Sequence, residues 1–516
     1  MRTTSWIPFV ILAGFVLFWT LFTGATTPNF GGTDVFIFRD AGCNCAAHLG
    51  FVSQSSPITP ASVPPVLFAD YTPGTPLLFA PAARIFGCTA YTDTYFDLIL
   101  LVIIAAVLIL YLPREDRVIV AVLLGITLPV GIFLTQGDRP ENPALALFLI
   151  FLLAWKRTQR VWLKCLLAGL AGCLFLIHPY VGITSFMLFI LLLAVDRNVN
   201  GRLTILTGSS AIAAIGILAW LAALHFADPS AIHRFMEHAF GAHSGAGRVL
   251  KQGAVTGTHV GFIEGHLRVL TMYLDKSNRL RVIGLVALLC YFLVFGVALL
   301  RLGSAQRRPA LIVLFALVCI LFIFPLLVFP GQVSYFSASG AMLFAVAAAG
   351  GNAFSDGVGK SRALLIVLIA GAVLSFPNLA IKLLQSSESK VSYRHAEAQA
   401  LRVQQMFVAR GLEQPRLLIN ASEYFVYKPY FHYLYNAGYF QPDDSLTPFD
   451  GLVRCYMATL AFSRADLPWE KPFHEEEWEL MDSDLQPVAI SLLGHRLQRR
   501  DWSWSCDVYV HKREQP

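Results

Sequence analysis

A short charged stretch follows the first apolar run of the chain. Residues 30–42 read FGGTDVFIFRDAG and place Asp34, Arg39 and Asp40 directly after an uncharged segment. A carboxylate in such a position can take a proton from a reacting hydroxyl. These residues are therefore the first candidates for chemistry.

The same stretch predicts the start of a helix. Residues 27–32, TPNFGG, interrupt the apolar run, and Thr33 can cap a helix that begins at Asp34. At about 100° per residue, Asp40 lies roughly 240° around the helix from Asp34, so the two carboxylates do not form a pair. Asp34 can also be read as a helix-start residue stabilised by the helix dipole, and the sequence leaves both interpretations open.

The composition indicates a membrane protein. The 516 residues are 56% hydrophobic and 14% charged, whereas soluble domains are about 25% charged. The formal net charge of +6 does not indicate nucleic acid binding, because basic residues collect in the cytoplasmic loops of membrane proteins. We expect membrane lipid as a partner and no nucleic acid.

Hydropathy predicts an all-α polytopic membrane domain with about eleven transmembrane helices. The expected spans are 5–24, 94–112, 118–134, 143–155, 161–177, 181–195, 203–225, 282–300, 310–328, 337–350 and 363–384.

The basic residues predict the orientation. They fall in alternate short loops, while the opposite short loops contain Arg139 and almost no other basic residue. The residues concerned are Arg114, Arg117, Lys156, Arg157, Arg160, Arg197, Arg202, Arg301, Arg307, Arg308, Lys360 and Arg362. This places the N-terminus in the cytoplasm and three large segments outside. We call these the first loop (residues 25–93), the second loop (226–281) and the C-terminal segment (386–516).

The domain organisation follows from this topology. Residues 1–385 form the transmembrane domain, and residues 386–516 form a small extracytoplasmic α/β domain. Within it, RLLIN and WSWSCDVYV are typical of strands, and EYFVYKPYFHYLYNAG predicts an aromatic-rich helix. Five cysteines lie in the external segments, where disulfides persist. We predict a disulfide between Cys455 and Cys506, with two buried free thiols as the alternative.

A second motif leads to a family resemblance. Residues 69–87, ADYTPGTPLLFAPAARIFG, combine a Tyr-Pro turn with an apolar helix that is too short to span and should lie along the membrane surface. Together with TDVFIFRDAG, the polar loop TQGDRPEN and the late element VFPGQVSYFSASGAMLF, this segment resembles the GT-C superfamily of integral-membrane glycosyltransferases. The arginine often found in the late element of that superfamily is absent here.

The resemblance implies a function and a site. Enzymes of this superfamily transfer a sugar from a polyprenyl-phosphate donor to a lipid, glycan or protein acceptor outside the cytoplasm, which suits glycan biosynthesis in a bacterial cell envelope. Asp34 matches their catalytic aspartate, and Asp40 is the second choice. The enzyme would face the periplasm or exterior from the bacterial inner membrane.

The departing phosphate would need positive charge or hydrogen-bond donors. The expected substrate-binding residues are Arg39, Asp70, Tyr71, Arg139, His178, Arg248, Lys251 and Arg268. His178 precedes Pro179 and also fits a plain turn. No metal ligand set is evident and no cofactor is indicated, although the resemblance allows a divalent cation.

Two other functions remain open. A Wzy-like polysaccharide polymerase shares many spans and long external loops, but the second loop is only moderately basic. A non-enzymatic lipid or glycan transporter would be expected to contain paired half-repeats, and the sequence has no such symmetry.

Overall fold

The computed structural model describes much of the N-terminal half of the chain and much of its C-terminal end. The described residues are 6–22, 33–53, 66–69, 71–111, 117–122, 124–125, 141–195, 200–240, 393–419, 424–436, 446, 448–457, 475–484, 489–492, 495–498 and 504–512. The predicted spans from residue 282 to residue 384, and most of the span at 118–134, lie outside them.

The N-terminal part is helical. Its helices are α1 (Ile7–Phe22), α2 (Thr33–Ala46), α3 (Gly74–Phe86), α4 (Ala90–Tyr111), α5 (Glu141–Arg157), α6 (Val161–Cys173), α7 (Pro179–Val195), α8 (Arg202–Ala227) and α9 (Pro229–Phe240). Helices α1 and α4 to α8 fall on six of the predicted spans. Among the described residues, α4 and α8 are long and apolar enough to cross a membrane, and α1, α6 and α7 contain shorter apolar helices.

The apolar helices pack closely around a common core. Phe148 of α5 and Phe189 of α7 are almost fully buried and meet edge to face, with ring centroids 6.0 Å apart. Between α6 and α8 the backbones approach so closely that a Cβ on Gly172 would lie 2.6 Å from Cβ of Ala213. Small residues at such contacts are typical of helix pairs in membranes.

Basic residues lie at one end of this helical layer, and the first loop lies at the other. At one end, the Tyr111 hydroxyl donates to the carbonyl of Leu149 at 3.0 Å, and Lys156 lies over the Tyr111 ring. The basic residues Arg157 and Arg160 follow at this end. The first loop lies at the opposite end, next to the start of α4. Among the described residues, the basic residues at and after the end of α5 and the first loop therefore lie at different ends of the helical layer.

The first loop contains α2, α3 and a two-stranded hairpin, β1 (Val52–Ser53) with β2 (Val66–Leu67). Helix α3 has thirteen residues, a length of about 20 Å, which is too short to cross a bilayer. It buries Phe79 and Ala83 but leaves Ile85 and Phe86 exposed, at 72% and 63%. These exposed apolar side chains are what a helix lying on a membrane surface requires.

The C-terminal segment forms a mixed sheet with a helix, α10, over residues 393–409. Its strands are β3 (Arg416–Ile419), β4 (Tyr433–Asn436), β5 (Gly451–Met457), β6 (Trp478–Asp484) and β9 (Trp504–His511), in the order β4-β3-β5-β9-β6. Strand β3 is parallel to β4 and β5, and the other pairs are antiparallel. A separate hairpin joins β7 (Ala489–Leu492) to β8 (His495–Gln498).

One local prediction in this segment is wrong. The sequence EYFVYKPYFHYLYNAG does not form a single helix, because it divides into the short helix α11 (Tyr424–Tyr427) and strand β4. Pro429 explains the break, since its ring would clash with the carbonyl of Phe425 in a continuing helix. The strands predicted from RLLIN and WSWSCDVYV are confirmed as β3 and β9.

The register of β9 bears on the predicted disulfide. Cys506 is fully buried and takes part in a disulfide. Cys455 of β5 lies directly opposite it in the antiparallel ladder. The Cys455 side chain lies outside the described part of the structure, so the Cys455–Cys506 bridge stays a prediction that this register favours.

The first loop and the C-terminal segment share one hydrophobic core. Cys43, Phe79 and Ala90 of α2 to α4 belong to the same buried cluster as Tyr393 and Phe407 of α10. The Tyr91 and Tyr393 rings meet edge to face at 5.3 Å. The C-terminal segment therefore packs directly on the loop that carries the candidate catalytic residues.

Candidate active site

Helix α2 begins at Thr33, one residue from the predicted start, and places Asp34 in its first turn. The side chains of residues 33–37 lie outside the described part of the structure, so the position of Asp34 is known from the helical backbone alone. Position 34 lies one turn before Phe38, on the same helix face. Phe38 is buried against Tyr71, with ring centroids 4.8 Å apart. The face that carries Asp34 is thus the face that meets the Tyr-Pro motif.

Arg39 is bound internally. Its Nε donates to Oδ1 of Asp93 at 2.6 Å and its Nη2 to Oδ1 of Asp97 at 3.3 Å, and all three side chains are fully buried. The guanidinium also lies over the rings of Phe79 and Phe96, 4.9 and 5.0 Å from their centroids. This arrangement joins α2 to α3 and α4, and it leaves the predicted phosphate ligand without an exposed face.

Asp40 faces the C-terminal segment. The Tyr424 hydroxyl donates to its Oδ1 at 2.7 Å, Lys428 Nζ donates to the same oxygen at 3.2 Å, and Ser53 Oγ donates to Oδ2 at 3.1 Å. Lys428 Nζ also donates to Oδ1 of Asn44 at 2.7 Å. Burial raises the pKa of Tyr424 well above its ordinary value, and the charge of Asp40 adds to this effect. Tyr424 therefore acts as a neutral hydrogen-bond donor to Asp40.

The Tyr-Pro motif docks on the turn that contains His178. Thr72 Oγ1 donates to the carbonyl of Ile177 at 2.9 Å. Gly74 approaches the same turn so closely that a Cβ would lie 2.8 Å from the carbonyl oxygen of Leu176. His178 is nearly buried, and its Nδ1 accepts from the backbone N–H of Val181 at 3.4 Å. The structure thus brings Tyr71 and His178 to one end of the helical layer, with His178 in the geometry of a turn that starts α7.

The second loop reaches the same place through α9. Arg234 donates from Nη2 to the carbonyl of Leu67 at 3.2 Å and forms an ion pair with Asp228 at 3.0 Å. Ala69 and Ala231 are fully buried in the contact. The sequence gives no signal for this contact of Arg234, because any residue could supply the backbone carbonyl that it binds.

Five of the predicted substrate-binding residues cannot be placed. Asp70, Arg139, Arg248, Lys251 and Arg268 lie outside the described residues. Within the described part of the chain, no group of three or more His, Cys, Asp or Glu side chains is arranged to hold a metal ion.

A disulfide closes the first loop. Cys43 of α2 is bonded to Cys88, which precedes α4, with a Cα–Cα distance of 5.6 Å. The sequence indicates that both cysteines are external but does not indicate that they pair with each other. The bridge holds α2 against the start of α4, next to the contacts that Arg39 makes.

Comparisons with known proteins address the fold as a whole. No family model matches the chain, and no curated protein matches it in sequence. The structure is similar to ArnT from Cupriavidus metallidurans, crystallised with undecaprenyl phosphate, with a TM-score of 0.51 over 98% of each chain and 10% identity. The two chains therefore share one fold over nearly their whole length. The oligosaccharyltransferase of Archaeoglobus fulgidus also matches, with a TM-score of 0.37, 13% identity and coverage of 89% of this chain and 71% of that one.

The fold shared with ArnT is consistent with the layout of the described residues. Predominantly helical structure with an additional sheet agrees with the predicted class of polytopic membrane protein. The first loop meets the turn at His178, helix α9 of the second loop and the C-terminal segment at one end of the helices. Sequence reasoning missed Tyr424 and Lys428, which lie 384 and 388 residues from Asp40.

Proposed function

We propose that the chain is an integral-membrane glycosyltransferase that transfers a hexose or pentose from a polyprenyl-phosphate donor to a lipid, glycan or protein acceptor on the extracytoplasmic face. The extent of the GT-C fold supports this proposal. The likeness covers 98% of a protein that was crystallised with undecaprenyl phosphate. A lipid phosphate is the leaving group that the proposed reaction requires.

The assignment of the base rests on how α2 distributes its charges. Helix α2 contains two acidic residues, Asp34 and Asp40. Asp40 is buried and bound to Tyr424 and Lys428, so a proton taken up there would weaken the contact with the C-terminal segment. Arg39 is committed to Asp93 and Asp97. We therefore assign Asp34 as the general base. The observation that carries the proposal is that Asp40, the other acidic residue of α2, is bound to the C-terminal segment.

The reaction needs one base. An acceptor hydroxyl attacks the anomeric carbon, the bond from that carbon to the phosphate oxygen breaks, and the lipid phosphate departs with the electron pair. The Asp34 carboxylate takes the hydroxyl proton. A single displacement of this kind needs no second carboxylate as nucleophile.

The donor phosphate would bind beside the Tyr-Pro motif. Tyr71 contacts the α2 face that carries position 34, and His178 lies in the turn on which that motif docks. We propose that the remaining positive charge comes from Arg139 and from the second-loop residues Arg248, Lys251 and Arg268, since Arg39 is enclosed. A positive environment stabilises the charge that develops on the departing phosphate.

The proposed topology has about eleven spans, a transmembrane domain over residues 1–385 and an extracytoplasmic domain over 386–516. Two disulfides support the extracytoplasmic side for the first loop and the C-terminal segment, because the Cys43–Cys88 bridge lies in the former and Cys506 is bonded in the latter. Disulfides persist in the periplasm and outside cells but are rare in the cytosol.

A comparison of lipid extracts tests the proposed function. Cells that lack the protein should accumulate a polyprenyl-phosphate-linked sugar and an acceptor without that sugar, both identified by mass spectrometry. Expression of the wild-type chain should remove both species. Lipids and glycans that are identical with and without the protein would contradict the proposal.

A further inference from the structure

We infer that Tyr424 and Lys428 of the C-terminal segment are positioning residues for the transferase site, because they fix the helix that carries Asp34. This inference rests on the proposed function. The C-terminal segment would then contribute to catalysis by holding the first loop in place. Tyr424 and Lys428 lie 384 and 388 positions from Asp40 in the sequence.

The contacts of α2 define the role. Three of the contacts that this helix makes in the described part of the chain serve as anchors: Arg39 binds it to α4, the Cys43–Cys88 bridge ties it to the start of α4, and Asp40 binds it to α11. The first two fix α2 along one side, toward α4. Asp40 provides the contact on another side, and its partners Tyr424 and Lys428 both come from the C-terminal segment.

Burial makes this third anchor strong and specific. The side chain of Asp40 is fully buried and that of Lys428 is 5% exposed. A buried ion pair is stable only when further hydrogen bonds complete it, and here Tyr424, Ser53 and Asn44 supply them. Sliding or rotation of α2 would break several of these bonds at once. The network therefore selects one position of the helix.

The distance to the proposed base is short. Asp40 lies six residues after Asp34 in one continuous helix, which corresponds to about 9 Å along the axis. A helix segment of this length moves nearly as a rigid body, so a displacement at Asp40 is carried to Asp34. A misplacement of about 1 Å in a reacting group can lower the rate by about 100-fold.

The variant Tyr424→Phe tests the inference with the smallest change. It removes the hydroxyl that donates to Asp40 and keeps the buried ring. We expect kcat of the purified full-length protein to fall by roughly 10- to 100-fold with the KM for the donor unchanged, since positioning affects the transition state rather than donor binding. The donor used is the polyprenyl-phosphate-linked sugar isolated from cells that lack the protein, with the unmodified acceptor from the same extract.

Tyr393→Phe is the matched control. Tyr393 is also a buried tyrosine of the C-terminal segment, but it packs on Tyr91 and contacts the backbone of Ala90, both in α4. If loss of any contact between the segment and the first loop slowed transfer, both variants would be slow. The inference predicts that Tyr393→Phe keeps kcat within about threefold of wild type.

A double variant provides a second measurement. Asp40→Ala combined with Tyr424→Phe should be no slower than the slower single variant, because Asp40→Ala already removes the oxygen that accepts from the Tyr424 hydroxyl. A Tyr424→Phe protein with wild-type kcat, or equal losses in Tyr424→Phe and Tyr393→Phe, would overturn the positioning role. If Asp34→Asn is inactive in the same assay, the proposed function still stands. Full activity of Asp34→Asn would overturn the assigned base and the positioning role together.

Discussion

The hydroxyl of Tyr424 donates a hydrogen bond of 2.7 Å to Oδ1 of Asp40, and the two residues are 384 positions apart in the chain. This bond joins the first loop, directly after the first apolar helix, to the sheet near the C-terminus. Two of the three charges that follow that helix, Arg39 and Asp40, thereby have structural partners in different elements. The third, Asp34, is the one that our account assigns to catalysis.

The buried cluster around Arg39 should contribute strongly to stability. Arg39→Met would leave the carboxylates of Asp93 and Asp97 buried without their cation, which should cost about 3–5 kcal/mol. The control is Arg402→Met, because Arg402 forms an exposed pair with Asp482 at 3.3 Å and such pairs are worth about 1 kcal/mol or less. Thermal unfolding of the purified proteins in detergent compares them. Equal midpoints for the two variants would contradict the structural role of Arg39.

Peptide mapping and thermal unfolding both test the Cys43–Cys88 disulfide. The two cysteines are 45 positions apart, so removal of the bridge should cost roughly 4 kcal/mol on the chain-entropy model. Peptide mapping without reductant should recover Cys43 joined to Cys88, and also Cys455 joined to Cys506. Cys43→Ser should lower the unfolding midpoint, whereas Cys45→Ser should not, because Cys45 is a free thiol. Recovery of Cys43 and Cys88 as free thiols from oxidised protein would show that the loop is not closed in this way.

The orientation of the helices can be read by labelling intact cells with a membrane-impermeant thiol reagent. A cysteine introduced at Leu49, which is exposed in the first loop, should react. A cysteine introduced at Arg157, at the basic end of α5, should react only after the membrane is opened. Both variants are made without the free thiol of Cys45. Labelling of the residue 157 variant in intact cells would reverse the proposed topology.

Local sequence patterns predicted the elements that depend on local physics. Helix α2, the short helix α3 and strand β9 were predicted from a helix-start signal, a short apolar run and a period of two, and all three elements are present. In β9, Cys506, Val508 and Val510 are buried as the alternation predicts. The prediction that Asp34 and Asp40 lie on different helix faces agrees with the helical backbone.

The remaining features depend on tertiary contacts. No local pattern indicates that Lys428 and Tyr424 bind Asp40, since a single sequence carries no information on which distant residues meet. The same limit applies to the pairing of Cys43 with Cys88. An arginine in an external loop suggests a phosphate ligand, and this was the basis of the prediction for Arg39. The sequence does not indicate that Asp93 and Asp97 of α4 bind this arginine instead. The break at Pro429 was present in the sequence and should have divided the aromatic-rich helix.

The assignment of Asp34 as the general base competes with the view that Asp34 only starts a helix. A control for this assignment is an aspartate that starts a helix and takes no part in transfer. Asp228 has that role, because its carboxylate accepts from the backbone N–H of Ser230 at 2.9 Å where α9 begins. The hydrogen bond from the Ser230 hydroxyl, together with the nearby Arg234, lowers the pKa of Asp228, so this carboxylate is ionised as the helix dipole favours. Asp228→Asn should therefore cost at most about 1 kcal/mol of stability and leave transfer nearly intact.

The measurement is sugar transfer by purified Asp34→Asn and Asp228→Asn proteins from the polyprenyl-phosphate-linked donor, with binding of undecaprenyl phosphate determined separately. Asparagine keeps the size of the side chain but cannot accept the proton, so Asp34→Asn should lower kcat by about 10²–10⁴-fold while lipid binding is retained. Asp228→Asn should transfer sugar at close to the wild-type rate. Wild-type transfer by Asp34→Asn would contradict the account and leave Asp34 as a residue that only starts a helix.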